Sequence, residues 1–95
     1  MYENIRKKAI ARMKKNRTFN VDFSDMKVNE RPYIEVISIN NGKVYMCAVK
    51  RVSYDKKTDK FYFISTNLLN GETIRTPEHN VLLETMCENV LNTIF

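Results

Sequence analysis

Asn4 to Arg17 reads NIRKKAIARMKKNR, and in those fourteen positions Arg6, Lys7, Lys8, Arg12, Lys14, Lys15 and Arg17 supply seven cations and no acid. Ammonium and guanidinium groups at that density are suited to one task, the neutralisation of phosphate or carboxylate. Up to Arg17 the only acid is Glu3, whereas the remainder balances nine Lys/Arg against ten Asp/Glu. The net charge of +5 is therefore a local excess at one end of the chain.

Other residue types offer little chemistry. His79 is the only histidine, and Cys47 and Cys87 lie forty positions apart, so neither a C-x-x-C nor an H-x-x-x-H zinc site can be assembled. Carboxylates occur in pairs at Asp22/Asp25, Asp55/Asp59 and Glu84/Glu88, which read as a turn, a lysine-rich hairpin loop and a solvated helix face. Acid–base catalysis needs a positioned partner that these contexts do not supply. Asp25-Met26-Lys27 has the residue order of a nuclease D-x-K element but falls in an expected loop. Gly42 and Gly71, the only glycines, each follow an asparagine at a turn, leaving none for a phosphate-cradling loop. KFYFIST, Lys60 to Thr66, has the aromatic density of an RNA-recognition strand without the glycine that signature requires. No catalytic residue, metal or cofactor is expected.

These residues are carried by a chain of 95 positions, 43% hydrophobic and 11% aromatic, which is one globular domain's worth of sequence. Tyr2, Ile5, Ala9 and Met13 recur on one face of a helix, with Lys7, Lys8, Lys14 and Lys15 opposite and Arg6, Arg12 and Arg17 on the flanks. Thr18 to Phe23 alternates as a short strand before a loop from Ser24 to Pro32. Tyr33 to Ile39 and Val44 to Tyr54 flank Asn41-Gly42, which predicts a two-residue type I′ hairpin with Ile39 facing Val44, Ile37 facing Met46 and Glu35 facing Ala48. Phe61 to Thr66 and Glu72 to Arg75 complete an antiparallel meander. Thr76-Pro77 reads as the cap and first position of a C-terminal helix whose inward face is Leu83, Met86, Cys87, Val90, Leu91 and Ile94. The fold class is α+β, with an N-terminal helix, a four- or five-stranded antiparallel meander sheet and a C-terminal helix in a single domain, residues 1–95.

Read in that register, Val52, Tyr54, Phe61 and Phe63 line the core. The second sheet face collects Tyr45, Val49, Tyr62 and Ile64, and is too apolar to stay bare. Either one helix covers each face, or Tyr45, Val49, Tyr62 and Ile64 form an interface with a protein partner or a second copy.

The longest apolar run, Val44 to Val49, is far short of the ~20 residues of a membrane span, and no apolar stretch follows the N-terminal charges as a signal peptide requires. Two cysteines in apolar contexts suit free thiols in a reducing compartment, so the chain is expected to be cytoplasmic with no membrane partner. The functional expectation is a small non-enzymatic binding module. Its basic helix would contact nucleic-acid backbone without reading sequence, through Arg6, Lys7, Lys8, Arg12, Lys14, Lys15 and Arg17. The alternative is a protein-binding inhibitor or adaptor, of the kind phages and mobile elements encode, acting through the apolar sheet face, with a homodimer as a further use of that face.

Overall fold

The structure is a computed structural model that describes residues 1–94. Helix α1 covers Tyr2–Asn16, and strands follow at β1 Asn20–Asp22, β2 Tyr33–Ile37, β3 Val44–Asp55, β4 Lys60–Asn67 and β5 Thr73–Pro77. Single 3₁₀ turns, Val28–Glu30 and Glu78–Asn80, interrupt the loops before β2 and after β5. The C-terminal helix, residues 83–94, is α-helical at both ends and π-helical over Met86–Leu91. The α+β class and antiparallel sheet expected from the sequence are those observed.

The long strand β3 organises the sheet. One of its edges pairs with β4, while the other is shared end to end by β2, against Val44–Ala48, and β1, against Arg51–Ser53. Where β3 changes partner the ladder slips by one residue, a β-bulge between Val49 and Arg51. The hydrogen bonds at the change-over go to loop ends, with the Val49 N–H donating to the Pro32 carbonyl and the Phe23 N–H to that of Lys50, both at 2.8 Å. An extra residue in a strand reverses the alternation of its side chains beyond that point. Cys47 and Val49 before the bulge thus share a face with Val52 and Tyr54 after it, and all four are buried.

This corrects the expected facing. The Asn41-Gly42 hairpin is also registered differently, pairing Ile37 with Val44, Glu35 with Met46 and Tyr33 with Ala48. A slip of two residues leaves the faces alone; the bulge is what moves Tyr45 and Val49 inward while Tyr62 and Ile64 stay outward. Ile34, Val36, Cys47, Val49, Val52, Tyr54, Phe61 and Phe63 form one cluster with Ala9, Ile10 and Met13 of α1 and Met86, Cys87, Val90 and Leu91 of the C-terminal helix. Both helices therefore cover the same face, not one each. Each fully buried phenylalanine in that layer contributes about 1.5–3 kcal/mol.

The turn chemistry is simpler than expected, because one four-residue loop is used three times. Ser38 to Lys43 and Asn67 to Glu72 are closed by N–H donation from Gly42 to the Ser38 carbonyl at 2.9 Å and from Gly71 to that of Asn67 at 2.8 Å. Asn41 and Asn70 accept the N–H two residues on through Oδ1, each at 2.9 Å, and do not take positive φ. The type I′ expectation fails for that reason: only the glycines, at φ 70° and 75°, are left-handed. Between β3 and β4, Asp59 at φ 55° occupies the glycine position of the third copy.

The expected helix start at Thr76-Pro77 is also corrected. Thr76 is 4% exposed against its β4 partner Phe63, and Pro77 ends β5, an edge strand, where its missing N–H leaves no ladder gap. The helix begins only at Leu83. Its first turns seal the free edge of β2: the Leu82 N–H donates to the Glu35 carbonyl (2.9 Å), Thr85 Oγ1 accepts from Glu35 N–H (3.1 Å), and Asn89 Nδ2 donates to the Tyr33 carbonyl (3.1 Å).

Helix α1 ends in a left-handed residue that is not glycine. Arg17, at φ 53° and ψ 36°, lets its own N–H reach the Lys14 carbonyl and that of Thr18 reach Met13. A side chain there costs about 1 kcal/mol. Arg17→Gly is expected to raise the unfolding free energy by up to about 1 kcal/mol, read as a higher urea midpoint at unchanged m value, while Arg17→Ala, which keeps a Cβ, brings no gain.

Candidate nucleic-acid interface

Helix α1 buries Ala9, Ile10 and Met13 and turns the opposite side to solvent. Lys7, Lys8, Arg12, Lys14, Lys15 and Arg17 are all exposed, and none forms an ion pair among the described residues. Glu3 in the first turn and Lys14 and Lys15 in the last complement the helix dipole, so charge of this sign toward the C-terminus also suits the helix itself.

Arg6 departs from the set. Its guanidinium forks onto Glu78, with Nε at 2.9 Å from Oε2 and Nη2 at 2.6 Å from Oε1, and it donates to the Asp59 carbonyl at 2.5 Å. Glu78 Oε1 also accepts the Phe61 N–H at 2.9 Å, and the guanidinium lies 5.6 Å from the Phe61 ring centre. The two ionic side chains are only 20% and 14% exposed. Hydrogen bonding to Glu78 holds the Arg6 guanidinium protonated still more firmly than usual. Arg6 is thus a bolt joining α1 to the β3–β4 loop and the turn after β5, and is not available to a ligand.

The bolt has an electrostatic consequence. It draws the loop Lys56-Lys57-Thr58-Asp59, followed by Lys60, alongside α1, where Lys7 and Lys60 line one cleft of about 640 Å³ with Glu3, Asp59 and Glu78. Lys56 extends toward Phe19, its Nζ 4.4 Å from the ring centre. Asp59, the acid among these lysines, is already engaged by the Tyr54 hydroxyl and, at 3.7 Å, by Arg6. Its carboxyl is held below the usual range by Tyr54 first, then by Arg6 and Lys14. Lys56, Lys57 and Lys60 thus belong to a hairpin that Arg6 holds to α1, with Lys60 and Lys7 in one cleft beside three carboxylates, a neighbourhood that sequence reading missed. The lysine-rich loop was visible in the sequence, but its neighbour was not.

Elsewhere several ionisable groups have structural partners. Asp22 Oδ1 accepts the Ser24 N–H at 2.7 Å and Oδ2 lies 3.3 Å from Arg51, and these bonds lower its pKa, Ser24 first. Tyr2 donates to Glu88 at 3.0 Å, which raises the phenol's pKa. Cys47 and Cys87 are free and buried, and burial pushes both thiols up. Among the described residues no three His, Cys, Asp or Glu side chains converge as a metal site, and no helix is long and apolar enough to cross a membrane.

The four residues expected to form a protein interface are not brought together. Val49 is fully buried, and Tyr45 is half-buried on the core side, accepting from Asn41 Nδ2 at 3.1 Å. Tyr62 and Ile64 lie on the opposite face, with the Arg75 guanidinium stacked 4.1 Å from the Tyr62 ring centre. The bulge in β3 is the cause. Comparison of the chain with protein-family models, curated proteins and solved structures finds no match.

Truncating one member of a largely buried ion pair leaves the other charge without its partner. Arg6→Met is expected to lower unfolding free energy by about 2 kcal/mol, allowing for the pair's partial exposure, with Arg6→Lys recovering less than half because an ammonium cannot fork. Urea denaturation measures both. Tyr54, buried and bonded to Asp59, has its pKa pushed up to about 12. A phenol whose folded pKa lies above its unfolded value of ~10 contributes stability below pH ~10 that disappears as pH rises through the folded value. Tyr54→Phe should remove the highest-pH step of the 295 nm absorbance titration and the matching loss of thermal stability.

Proposed function

We propose that this domain binds the phosphate backbone of nucleic acid through the outward side of α1, extended by the β3–β4 loop. What supports the reading is the set of six exposed cations, Lys7, Lys8, Arg12, Lys14 and Lys15 on the fifteen-residue helix and Arg17 at its cap, that form no ion pair among the described residues. Fifteen residues at ~1.5 Å rise give a rod of about 22 Å, long enough to lie along several phosphates of a duplex. Lys56, Lys57 and Lys60 broaden that rod into a surface. A single charged helix in water attracts polyanions weakly, but counterion release makes the gain grow with every phosphate contacted.

The chemistry argues for backbone binding without base recognition. Base edges are read by Asn, Gln or Arg reaching into a groove, and the outward side of α1 has asparagine only at its ends, Asn4 and Asn16. Of the arginines, Arg6 is committed to Glu78, and Arg12 and Arg17 flank the lysine stripe.

Fluorescence anisotropy with duplex and single-stranded oligonucleotides over a salt series tests this. If four to six phosphates are contacted, log K against log salt has a slope of about −3.6 to −5.4 on duplex. Charge reversal at Lys7, Lys8, Lys14 and Lys15 together is expected to weaken binding at least a hundredfold at low salt. Reversal at Lys56, Lys57 and Lys60 is expected to weaken it less. Affinity unchanged by the helix substitutions, or no binding at low salt, would overturn the proposal.

A further inference from the structure

With both helices on one side, the other face of the sheet is left open, and its surface is apolar where β2, β3 and the end of β4 meet. Val28, Tyr33, Val44, Met46 and Leu68 are each between 42% and 52% exposed. They are neighbours by register: Tyr33 pairs with Ala48, Ile37 with Val44, and the Leu68 N–H donates to the Met46 carbonyl at 3.1 Å. Val28, Tyr33, Met46, Ala48 and Leu68 line a shallow groove of about 380 Å³ whose rim also holds Asn29 and Arg31. We propose that this face pairs with the same face of a second copy of the chain, sheet against sheet. The inference rests on no part of the nucleic-acid reading.

Area and charge identify the occupant. With ~150–200 Å² for a whole large side chain, those five residues offer roughly 400 Å² of apolar surface. A standard interface takes ~800 Å² from each partner, rather more than half of it apolar, so the patch matches the apolar share that one side contributes. Paired positions on this face carry Asp22, Glu35 and Asp55 against Arg51, Lys60 and Arg75, three of each, and Arg31 in the groove adds one cation that is tied to the Met26 and Ser24 carbonyls, in a chain of net charge +5. Two copies can therefore approach through the sheet without the like-charge repulsion that meeting through α1 would bring. Glu35 and Arg75, on opposite edges of the sheet, have no ion-pair partner among the described residues, which leaves each free to meet its opposite across a two-fold axis. In such a pair the two α1 helices face outward, on the far sides of the dimer.

Sedimentation velocity of the whole chain at low and high salt tests the proposal. A species of twice the 11.2 kDa chain mass is expected, held at high salt because the contact is apolar, under conditions where oligonucleotide binding by the helices would be lost. Met46→Glu and Leu68→Glu, at half-exposed positions that tolerate polar groups, should each weaken self-association at least tenfold with circular-dichroism melting unchanged. In the unsubstituted protein, the Met46 methyl resonance should shift on dilution, a reading that holds even if a variant folds poorly. A monomer at all concentrations, a dimer indifferent to both substitutions, or a Met46 methyl that does not respond to dilution would each overturn it. Dimerisation without nucleic-acid binding, or the reverse, separates this inference from the preceding one.

Discussion

A single inserted residue in β3 governs the arrangement of this molecule. At the Val49–Arg51 bulge the strand exchanges β2 for β1 as its edge partner and reverses which of its side chains point inward. Without it, Cys47 and Val49 would lie on the face opposite Val52 and Tyr54, and no single apolar layer could run the length of the strand. With it, one continuous layer receives both helices. The cost is a second face that keeps Tyr33, Val44 and Met46 half in solvent, because residues that alternate out of the core must go somewhere.

The second determinant is the division of the N-terminal cations into one that is structural and six that are not. Arg6 satisfies Glu78 and Asp59 together, and Glu78 in turn satisfies the Phe61 N–H, so one partly buried cluster locks three segments distant in sequence. Guanidinium is the group for this, since its planar fork meets a carboxylate with two bonds and still reaches a carbonyl. The lysines, compact point charges on flexible stems, remain in water. Docking the β3–β4 loop against α1 brings Lys60 into one cleft with Lys7, while paired positions on the opposite sheet face balance in charge. The proposed phosphate surface lies on the helix side of the sheet and the proposed dimer face on the other, with Lys60 at the β3–β4 hairpin on the rim of both.

Turn and edge chemistry is economical. Three loops share a first side-chain oxygen that accepts the N–H two residues on and a left-handed fourth loop residue, and where that residue is Asp59 rather than glycine, the carboxylate is used by Tyr54 and Arg6. The edge of β2 is closed by Leu82, Thr85 and Asn89, so the C-terminal helix supplies hydrogen bonds to the sheet as well as apolar cover.

Much of this was legible in the chain itself. The 3.6-residue recurrence of Ile5, Ala9 and Met13, the alternation in FYFIST, and the charge run at the N-terminus determine the two helices, the antiparallel sheet and the basic face, because each depends only on near neighbours. The type I′ turn departs from expectation for a local reason, Asn41 using its side chain on Lys43 N–H, and the Thr76-Pro77 cap for a tertiary one, Thr76 lying opposite Phe63 in the core. What tertiary structure alone decided is which face of β2 and β3 is buried, that both helices share it, and that Arg6 belongs to Glu78. A bulge leaves no mark in hydrophobic pattern when both faces of a strand are apolar, and a contact spanning seventy-two residues is chosen by the fold's geometry rather than by anything near Arg6 in the sequence.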